Sequence, residues 1–413
     1  MKSTFLVVGY NGSRVYDIMN LRKLCASRYS ATLTLITKHA QPADYEAADA
    51  VLVCPLESDA IEASFEYVVR EISNKDLKVV GVLPFSDFGI LLGAHLSKYY
   101  QLPGILPDEA PPGLDKRAYR DLEGADSARP ATHNPIYSVQ VNTLEHFREV
   151  VALLAGRAFV KPANFGNSHG CIALYHLDEC APAWEKLSAF HDGGVLVEEL
   201  ITGAKEFSWD FVAGYSWITE KETTQDSFRA EIQQIVPAKL SDQEYRLIND
   251  AGHYMRKLVS SNNGAYHNEI FLRADSTSTV ETNMRPAGMH IWDLAILSFK
   301  SFEPWHLWLA WAIDGEIISG TPERKSYSGI RMIRAPSSGV LNFLPDVDLI
   351  ASELNIKFVS VKFTRTLGAS VTTQIIDNSS FIGELIIKDE DCDTLRTNLL
   401  LLTEAIERNV VVA

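Results

Sequence analysis

Cysteine is scarce in this 413-residue chain, and no two cysteines are spaced as a Cys-x-x-Cys pair. The five cysteines are an odd number and lie far apart: Cys25, Cys54, Cys171, Cys180 and Cys392. This pattern argues against a zinc site or a disulfide framework, and it is typical of a reducing compartment.

Long apolar runs are also missing. The first nine residues, MKSTFLVVG, contain too short an apolar run for a signal peptide. The stretch WHLWLAWAI at 305–313 is too short to span a bilayer. Its tryptophans recur at helical spacing, which predicts a packed core face. We therefore expect a cytoplasmic protein with no membrane partner.

The chain lacks an excess of positive charge. Its net charge of −15 argues against a general surface for nucleic acid or anionic membrane. A hydrophobic content of 46% with 22% charged residues excludes wholesale disorder, and the length predicts two to four domains. There is no Walker A motif, and GYNGSR at 9–14 lacks the full GxGxxG spacing, so neither a P-loop nor a nicotinamide site is expected.

The segment HNEIFLRADSTSTVETNMRPAG (267–288) carries the densest polar pattern. Strand side chains alternate, so Glu281, Asn283 and Arg285 share one face. A turn near the middle of the segment places Glu269 opposite Glu281. Carboxylate and amide oxygens suit Mg²⁺ shared with phosphates, and a planar Arg suits a phosphoryl oxygen. The segment predicts a metal–phosphate site; a solvated strand face is the alternative.

Apolar runs and helical stretches alternate along the first hundred residues. FLVVGY, ATLTLIT, AVLVC and VVGVLP predict buried parallel strands, and so a Rossmann-like α/β layer. Prolines and glycines at 103–113 mark a boundary, and DKRAYRDL then predicts a helix that begins behind Asp115. We predict an N-terminal domain at 1–112, a small α+β unit at 113–205, and a C-terminal domain at 206–413.

The loop KPANFGNSHGC (161–171) joins two predicted strands. Gly166 and Gly170 let backbone N–H groups face inward as an anion-binding nest. Ser168 and His169 add polar donors, and Lys161 can bring a point charge to a phosphate. An ordinary glycine-rich turn is the alternative.

The segment VLVEELITGAKEF (195–207) predicts an adenine slot. A strand end such as Glu198-Glu199-Leu200-Ile201 supplies an apolar surface, an acceptor for the amino group and a backbone N–H. Glu206, after the following turn, can accept hydrogen bonds from ribose hydroxyls. A solvated strand end is the alternative.

Together these motifs resemble the ATP-grasp superfamily: a Rossmann-like domain, a DK…R helix, the KP…G lid loop, the EELI hinge and E…ExNxR. The resemblance covers about residues 1–300 and implies an α/β fold with a mobile lid and a C-terminal antiparallel-sheet domain. The implied ligands of ATP are Lys116, Lys161, Ser168, His169, Glu198, Leu200, Ile201 and Glu206. Lys221 is a further phosphate candidate or a solvated loop lysine.

The same resemblance implies that Glu269, Glu281 and Asn283 bind two Mg²⁺ ions. Arg285 would stabilise charge at the reacting centre. Within the superfamily the sequence looks most like the L-amino-acid ligases, on stretches such as VVGVLPFSD, ETNMRPAGMHIWDL and YSGIRMIRAPSSGVL. That branch implies an ADP-forming ligase that joins two amino acids through an acyl phosphate, in the biosynthesis of a small peptide such as an antibiotic.

The sequence pattern identifies the substrate-binding residues less specifically than the metal-binding residues. Gly288 and Met289 follow Arg285 and are predicted to line the pocket for one amino acid, with ordinary core packing as the alternative for Met289. Arg331 is predicted to pair with a substrate carboxylate, or else to form a surface ion pair. Relatives with such C-terminal regions are often homodimers.

Two other functions stay open at this point. A biotin-carboxylase-like or purine-biosynthesis enzyme of the same superfamily would use bicarbonate or formate. An ATP-binding protein without turnover would serve regulation or assembly, although pure binding would not need both glutamates, the Asn and the Arg.

Overall fold

The structure is a computed structural model that describes residues 1–10, 12–164, 170–224 and 228–413. The strands of these residues form four sheets. None of the helices in these ranges is long and apolar enough to cross a membrane.

The N-terminal part alternates strands with helices, as predicted. Its elements are β1 (Lys2–Val8), α1 (Val15–Tyr29), β2 (Thr32–Thr37), α2 (Pro42–Ala47), β3 (Ala50–Val53), α3 (Ile61–Asn74), β4 (Leu77–Pro84) and α4 (Ile90–Tyr100). The strands are parallel, in the order β3-β2-β1-β4. Phe5 and Val7 of β1 pack into one core, while Leu6 and Val8 pack into another on the opposite face. Burial on both faces explains the continuous apolar runs, and the Rossmann-like layer is confirmed.

The next part carries a small antiparallel sheet. Its elements are α5 (Lys116–Ala125), β5 (Ser138–Val141), α6 (Leu144–Leu153), β6 (Ala158–Pro162), β7 (Ile172–Leu174), α7 (Cys180–Lys186) and β8 (Val195–Glu199). The strand order is β5-β8-β6-β7. Helix α5 begins behind Asp115, as predicted, because the Asp115 carboxylate accepts a hydrogen bond of 2.8 Å from the backbone N–H of Arg117. Phe147 and Val150 of α6 pack against this sheet.

The remaining strands form a large antiparallel sheet and a separate three-stranded sheet. The strands are β9 (Lys205–Val212), β10 (Tyr215–Thr223), β11 (Glu231–Val236), β12 (Ala265–Leu272), β13 (Thr277–Asn283), β14 (Tyr327–Ile333), β15 (Gly339–Phe343), β16 (Ser360–Phe363), β17 (Ser370–Val371), β18 (Gly383–Asp389) and β19 (Val411–Val412). The large sheet has the order β13-β12-β9-β10-β11-β14-β18-β16, and the three-stranded sheet has the order β17-β15-β19.

The remaining helices cover these sheets: α8 (Asp242–Val259), α9 (Ile291–Ser298), α10 (Pro304–Asp314), α11 (Val347–Glu353) and α12 (Cys392–Asn409). Tyr266 and Ile270 of β12 pack in one core with Ile248 and Met255 of α8. The intervening residues of β12, His267 and Glu269, line a cavity on the other face. The alternation of strand side chains thus separates core from cavity.

Helix α10 carries the tryptophan-rich stretch, and its prediction as a core face is confirmed. Trp305, Trp308 and Trp311 are buried in one cluster with Phe5 of β1 and Trp217 of β10. The helix therefore packs between the parallel sheet and the large sheet, which fixes the carboxyl ends of the parallel strands beside the polar face of β12 and β13. The domain limits at 112/113 and 205/206 stay a prediction.

Candidate active site

A cavity of about 2230 Å³ lies between the three larger sheets. Asp87 reaches it from beyond β4, Lys116 and Lys161 from the small antiparallel sheet and its helix, and Glu269 and Glu281 from the large sheet. Ligand pockets for one small molecule are on the order of 300–1,000 Å³. This cavity therefore has room for a nucleotide together with further small molecules.

The hairpin of β12 and β13 brings the predicted metal-binding residues together. Glu269 pairs with Glu281 in the register of the two strands, as predicted. The amide of Asn283 donates to Glu281 Oε1 at 3.2 Å, and Arg285 Nη2 donates to Asn283 Oδ1 at 3.3 Å. The four side chains therefore form one polar face, which we call the hairpin face.

A bulge in the hairpin adds a feature that the sequence pattern did not predict. Glu269 pairs with Glu281 and Ile270 pairs with Thr279, so Val280 has no partner on β12. Its carbonyl instead accepts hydrogen bonds from Arg120 Nη2 at 2.9 Å and Lys161 Nζ at 3.5 Å. The bulge thus links the large sheet to the small antiparallel sheet and its helix α5.

Lysines neutralise both glutamates of the hairpin face. Lys116 Nζ lies 3.0 Å from Glu281 Oε2, and Lys221 Nζ contacts Glu269 Oε1. Burial raises the pKa of each carboxyl group. Lys221 and His267 together outweigh burial at Glu269, and Lys116 with the hydrogen bond from Asn283 does so at Glu281, so the pKa of both is lowered. Both side chains are therefore anionic at neutral pH.

The donor set of the hairpin face fits Mg²⁺ that shares its coordination with phosphate oxygens. Among the described residues, no group of three or more His, Cys, Asp or Glu side chains is arranged to hold a metal by itself. Two carboxylates and an amide oxygen leave about half of an octahedral shell to other ligands, which is how Mg²⁺ binds with substrate phosphates.

Lys221 is the centre of a carboxylate cluster. Besides Glu269, its ammonium lies 3.3 Å from Glu206 and 2.5 Å from Glu231. Burial and repulsion from Glu269 and Glu231 raise the pKa of Glu206 to about 7, although Lys221 opposes them. The alternative of a solvated lysine does not hold, because the Lys221 side chain is 1% exposed.

Glu198 holds two cations in place. Its carboxylate lies 2.7 Å from Lys161 Nζ and accepts a hydrogen bond of 2.8 Å from Arg120 Nε. Burial raises the pKa of Glu198, but Arg120 and Lys161 outweigh it and lower the pKa to about 2. The carboxylate is thus engaged in ion pairs, which leaves the backbone of Leu200 and Ile201, on the cavity wall, as the predicted adenine contact.

Arg285 is oriented by a residue that the sequence reasoning did not single out. Asp87 accepts two hydrogen bonds from it, from Nε at 2.9 Å and from Nη2 at 3.2 Å. Burial lowers the pKa of Arg285, but Asp87 outweighs this and raises it. Asp87 follows β4 at the carboxyl edge of the parallel sheet, where α/β proteins bind ligands, and that position was the available signal.

Other contributors were missed or given no role. His267 bonds Asp210 at 2.7 Å and Glu269 at 3.1 Å. Burial lowers the pKa of His267, but Asp210 and Glu269 outweigh it and raise the pKa to about 9. Arg120 and Glu231 were not predicted either, since an isolated Arg or Glu in a helix or strand gives no signal of a buried partner.

The predicted substrate residues fall in two places. Gly288 and Met289 line the cavity. Arg331 is not among the described residues that line it; its guanidinium bonds Gln233 at 3.0 Å and Glu222 at 3.4 Å. The predicted contact of Arg331 with a substrate carboxylate therefore gains no support from its position. Ser168 and His169 lie outside the described residues.

No family model matches the sequence, and no curated protein sequence does either. Solved structures do match. An L-amino acid ligase from Bacillus licheniformis is similar over 100% of this chain and 99% of its own, with a TM-score of 0.79 at 17% identity. A phosphoribosylglycinamide synthetase from Anaerococcus prevotii matches over the whole of both chains, with a TM-score of 0.68 at 16% identity.

A third match is the biotin carboxylase domain of the Hydrogenobacter thermophilus 2-oxoglutarate carboxylase, solved with MgADP, ADP and bicarbonate. It covers 99% of this chain and 90% of its own, with a TM-score of 0.66 at 14% identity. These structures are ATP-grasp enzymes, and each of the three matches covers at least 99% of this chain. The chain therefore has the ATP-grasp fold that its motifs predicted.

Proposed function

We propose that this protein is an ATP-dependent ligase that joins two amino acids, or an amino-acid-like acid and an amino acid, with release of ADP and phosphate. The observation that carries the proposal is the hairpin face: Glu269 opposite Glu281, with Asn283 and Arg285 on the same side, in a cavity with room for several ligands. The likeness in fold to an L-amino acid ligase supports the choice of substrates.

The nucleotide would lie between the small antiparallel sheet and the hairpin face. Lys116 and Lys161 would supply positive charge to its phosphates, and Ser168 and His169, which lie outside the described residues, are the further proposed donors. The backbone of Leu200 and Ile201 would contact adenine. Glu206 is the candidate for the ribose, since its carboxylate lies on the cavity wall.

Mg²⁺ would be held by Glu269, Glu281 and Asn283, with two ions as the proposed number. Bound Mg·ATP supplies the phosphoryl group that activates one substrate carboxylate as an acyl phosphate. Arg285 can hold the oxygens on which negative charge accumulates. Because Asp87 fixes its guanidinium through two hydrogen bonds, the donor does not need to be reoriented during the reaction.

The test is phosphate release from Mg·ATP by the purified protein against a panel of amino acids, singly and in pairs, with mass spectrometry of the products. Release that depends on a pair, with a product of the summed mass less water, supports ligation. We expect Arg285→Ala to lower kcat by about 10²–10³-fold, the usual cost of a preorganised oxyanion donor. Arg334→Ala is the matched control, since Arg334 pairs with Glu407 at 3.2 Å in an exposed setting.

Three results would contradict the ligase proposal or part of it. If the protein binds Mg·ATP but no amino acid or pair stimulates phosphate release, the ligase proposal is wrong. Stimulation by bicarbonate or formate would then assign it to the carboxylating or purine-biosynthesis chemistry, and no turnover with any acid would leave a nucleotide-binding role. A place in the biosynthesis of a peptide antibiotic is part of the proposal, and the identity of the product tests it.

A further inference from the structure

An apolar surface lies in the same cavity as the hairpin face. Met289, Met332 and Phe381 line the cavity and belong to one hydrophobic cluster, backed by Ile232 and Ile375. We call these three side chains the apolar wall. Met332 and Phe381 are almost fully buried, although both contribute to the cavity lining.

The position of Met289 in this wall is fixed by its backbone and its neighbours. Met289 and His290 both have positive φ, at 45° and 56°, which is unusual for residues other than glycine. The His290 ring, bonded to Asp293 at 2.9 Å and to Glu384 at 3.1 Å, holds this turn in place. The strained turn therefore sets the direction of the Met289 side chain.

The space in front of the wall adjoins the hairpin face. Gly288 lies three residues after Arg285 and lines the cavity. A Cβ added at Gly288 would meet no atom within 4 Å, so the cavity is open at this point. A methyl group introduced there would therefore displace no residue other than, at most, its two chain neighbours.

We propose that the apolar wall and Gly288 form the side-chain pocket for one of the two amino acids, and that this amino acid carries an uncharged, apolar side chain. The inference rests on the proposed function and names its substrate class. A charged side chain would lose its hydration against Met289, Met332 and Phe381 without gaining a partner. Two carboxylates near the wall are already paired, Glu384 with His290 and Glu231 with Lys221, and Arg365 donates to the Ser379 carbonyl.

The test fills the open space in steps, with Gly288→Ala and Gly288→Leu. We expect kcat/KM for a large apolar amino acid to fall by about tenfold or more relative to that for alanine, since a methylene in a hydrophobic pocket is worth about 10–200-fold. The larger replacement should have the larger effect. Calorimetric titration should show the same order in amino-acid affinity, while ATP affinity stays unchanged.

Gly124→Ala is the matched control. Gly124 lies in α5, and a Cβ there also meets no atom within 4 Å, but Gly124 does not line the cavity. Its replacement should leave amino-acid preference as in the unaltered protein. Thermal melting of all variants checks that the fold is retained.

The outcomes separate the two proposals. If the unaltered protein ligates only charged or polar amino acids, the ligase function stands and the apolar pocket is overturned. Equal losses for all amino acids in Gly288→Leu, with ATP affinity intact, overturn the pocket as well. No use of ATP with any amino acid removes the function and the pocket together.

Discussion

Two buried charge clusters line the cavity from different sheets, and their compositions are opposite. In the first, on the small antiparallel sheet and its helix α5, the Glu198 carboxylate is shared by two cations, Arg120 and Lys161. In the second, on the large sheet, the Lys221 ammonium is shared by three carboxylates, Glu206, Glu231 and Glu269. Arg120 also lies 3.6 Å from Glu123, so the first cluster has surplus positive charge only together with Lys116 of α5, whose partner Glu281 belongs to the large sheet. The second cluster has surplus negative charge. We call the first the cationic wall and the second the anionic wall.

The difference assigns the two walls to different parts of one ligand complex. A phosphate chain gains from the cationic wall, whereas a divalent cation gains from the anionic wall. Burial raises the pKa of both carboxyl groups. At Glu198 the two cations outweigh burial and lower the pKa to about 2, whereas at Glu206 two neighbouring carboxylates add to burial and the pKa rises to about 7 despite Lys221. Mg·ATP carries both kinds of charge and matches both walls.

The largest expected effect on stability comes from removing the negative charge of Glu198 from the cationic wall. Glu198→Gln leaves Arg120 and Lys161 buried without their common counter-charge. We expect the free energy of unfolding at pH 7 to fall by about 3–5 kcal/mol, which is typical when one partner of a buried ion pair is removed. Denaturant unfolding measures it. Glu323→Gln is the control, since the exposed pair of Glu323 with Lys300 contributes little.

The same variant tests the pKa of Glu198. Its folded pKa is lowered to about 2, so the folded state binds fewer protons than the unfolded chain between about pH 4.5 and pH 2. The stability advantage of the unaltered protein over Glu198→Gln should be complete above about pH 4.5 and should disappear as pH falls through 2. An advantage that does not change over this range would contradict the ion-pair description.

A somewhat smaller effect on stability tests whether the anionic wall binds a cation. Lys221→Met removes the cation that three carboxylates share, so the variant should be less stable than the unaltered protein. Mg²⁺ without nucleotide should restore stability, by about 2.7 kcal/mol at 100 times its Kd. The unaltered protein should gain less, because Lys221 competes with the ion for Glu269. Thermal melting with and without Mg²⁺ makes the measurement.

Lys300→Met is the control for that comparison, since Lys300 pairs with Glu323 in an exposed position. Its Mg²⁺ response should equal that of the unaltered protein. If Lys221→Met responds to Mg²⁺ no more strongly than this control, the anionic wall is not a cation site.

The smallest effect is the pH dependence of the anionic wall. The folded pKa of Glu206 is raised to about 7, so the folded state binds more protons than the unfolded chain between about pH 4.5 and pH 7. Stability should therefore fall as pH rises through this range, by at most about 3 kcal/mol, given about 1.4 kcal/mol for each pKa unit of the shift. Glu206→Gln should lose this slope in denaturant unfolding across pH 5–8. An unchanged slope in Glu206→Gln would contradict the raised pKa of Glu206.

The sequence predicted well those features that depend on local pattern. The alternation in 267–288 gave the register of Glu269 with Glu281, and the continuous apolar runs gave the parallel strands. The tryptophan spacing gave the buried face of α10. Each of these depends on strand or helix periodicity, which a short segment carries by itself.

Features that depend on distant contacts were predicted poorly. Asp87 and Arg285 are 198 positions apart, and the packing of the parallel sheet against the large sheet brings them within hydrogen-bond distance. The carboxylate of Glu198 was expected at adenine because its segment matched a hinge motif. The motif said nothing about Arg120, which approaches from α5 and engages that carboxylate.

By itself, the sequence determined the fold and the kinds of chemical group in the cavity: its periodicities specify the sheets, and its motifs specify the carboxylates, the lysines and the arginine. Only the tertiary structure decided how those groups share charge, which wall is cationic and which is anionic, and that Arg331 bonds Gln233 and Glu222. The reason is physical. A side chain's ionisation and orientation depend on neighbours within a few ångströms, and in this fold those neighbours come from different sheets.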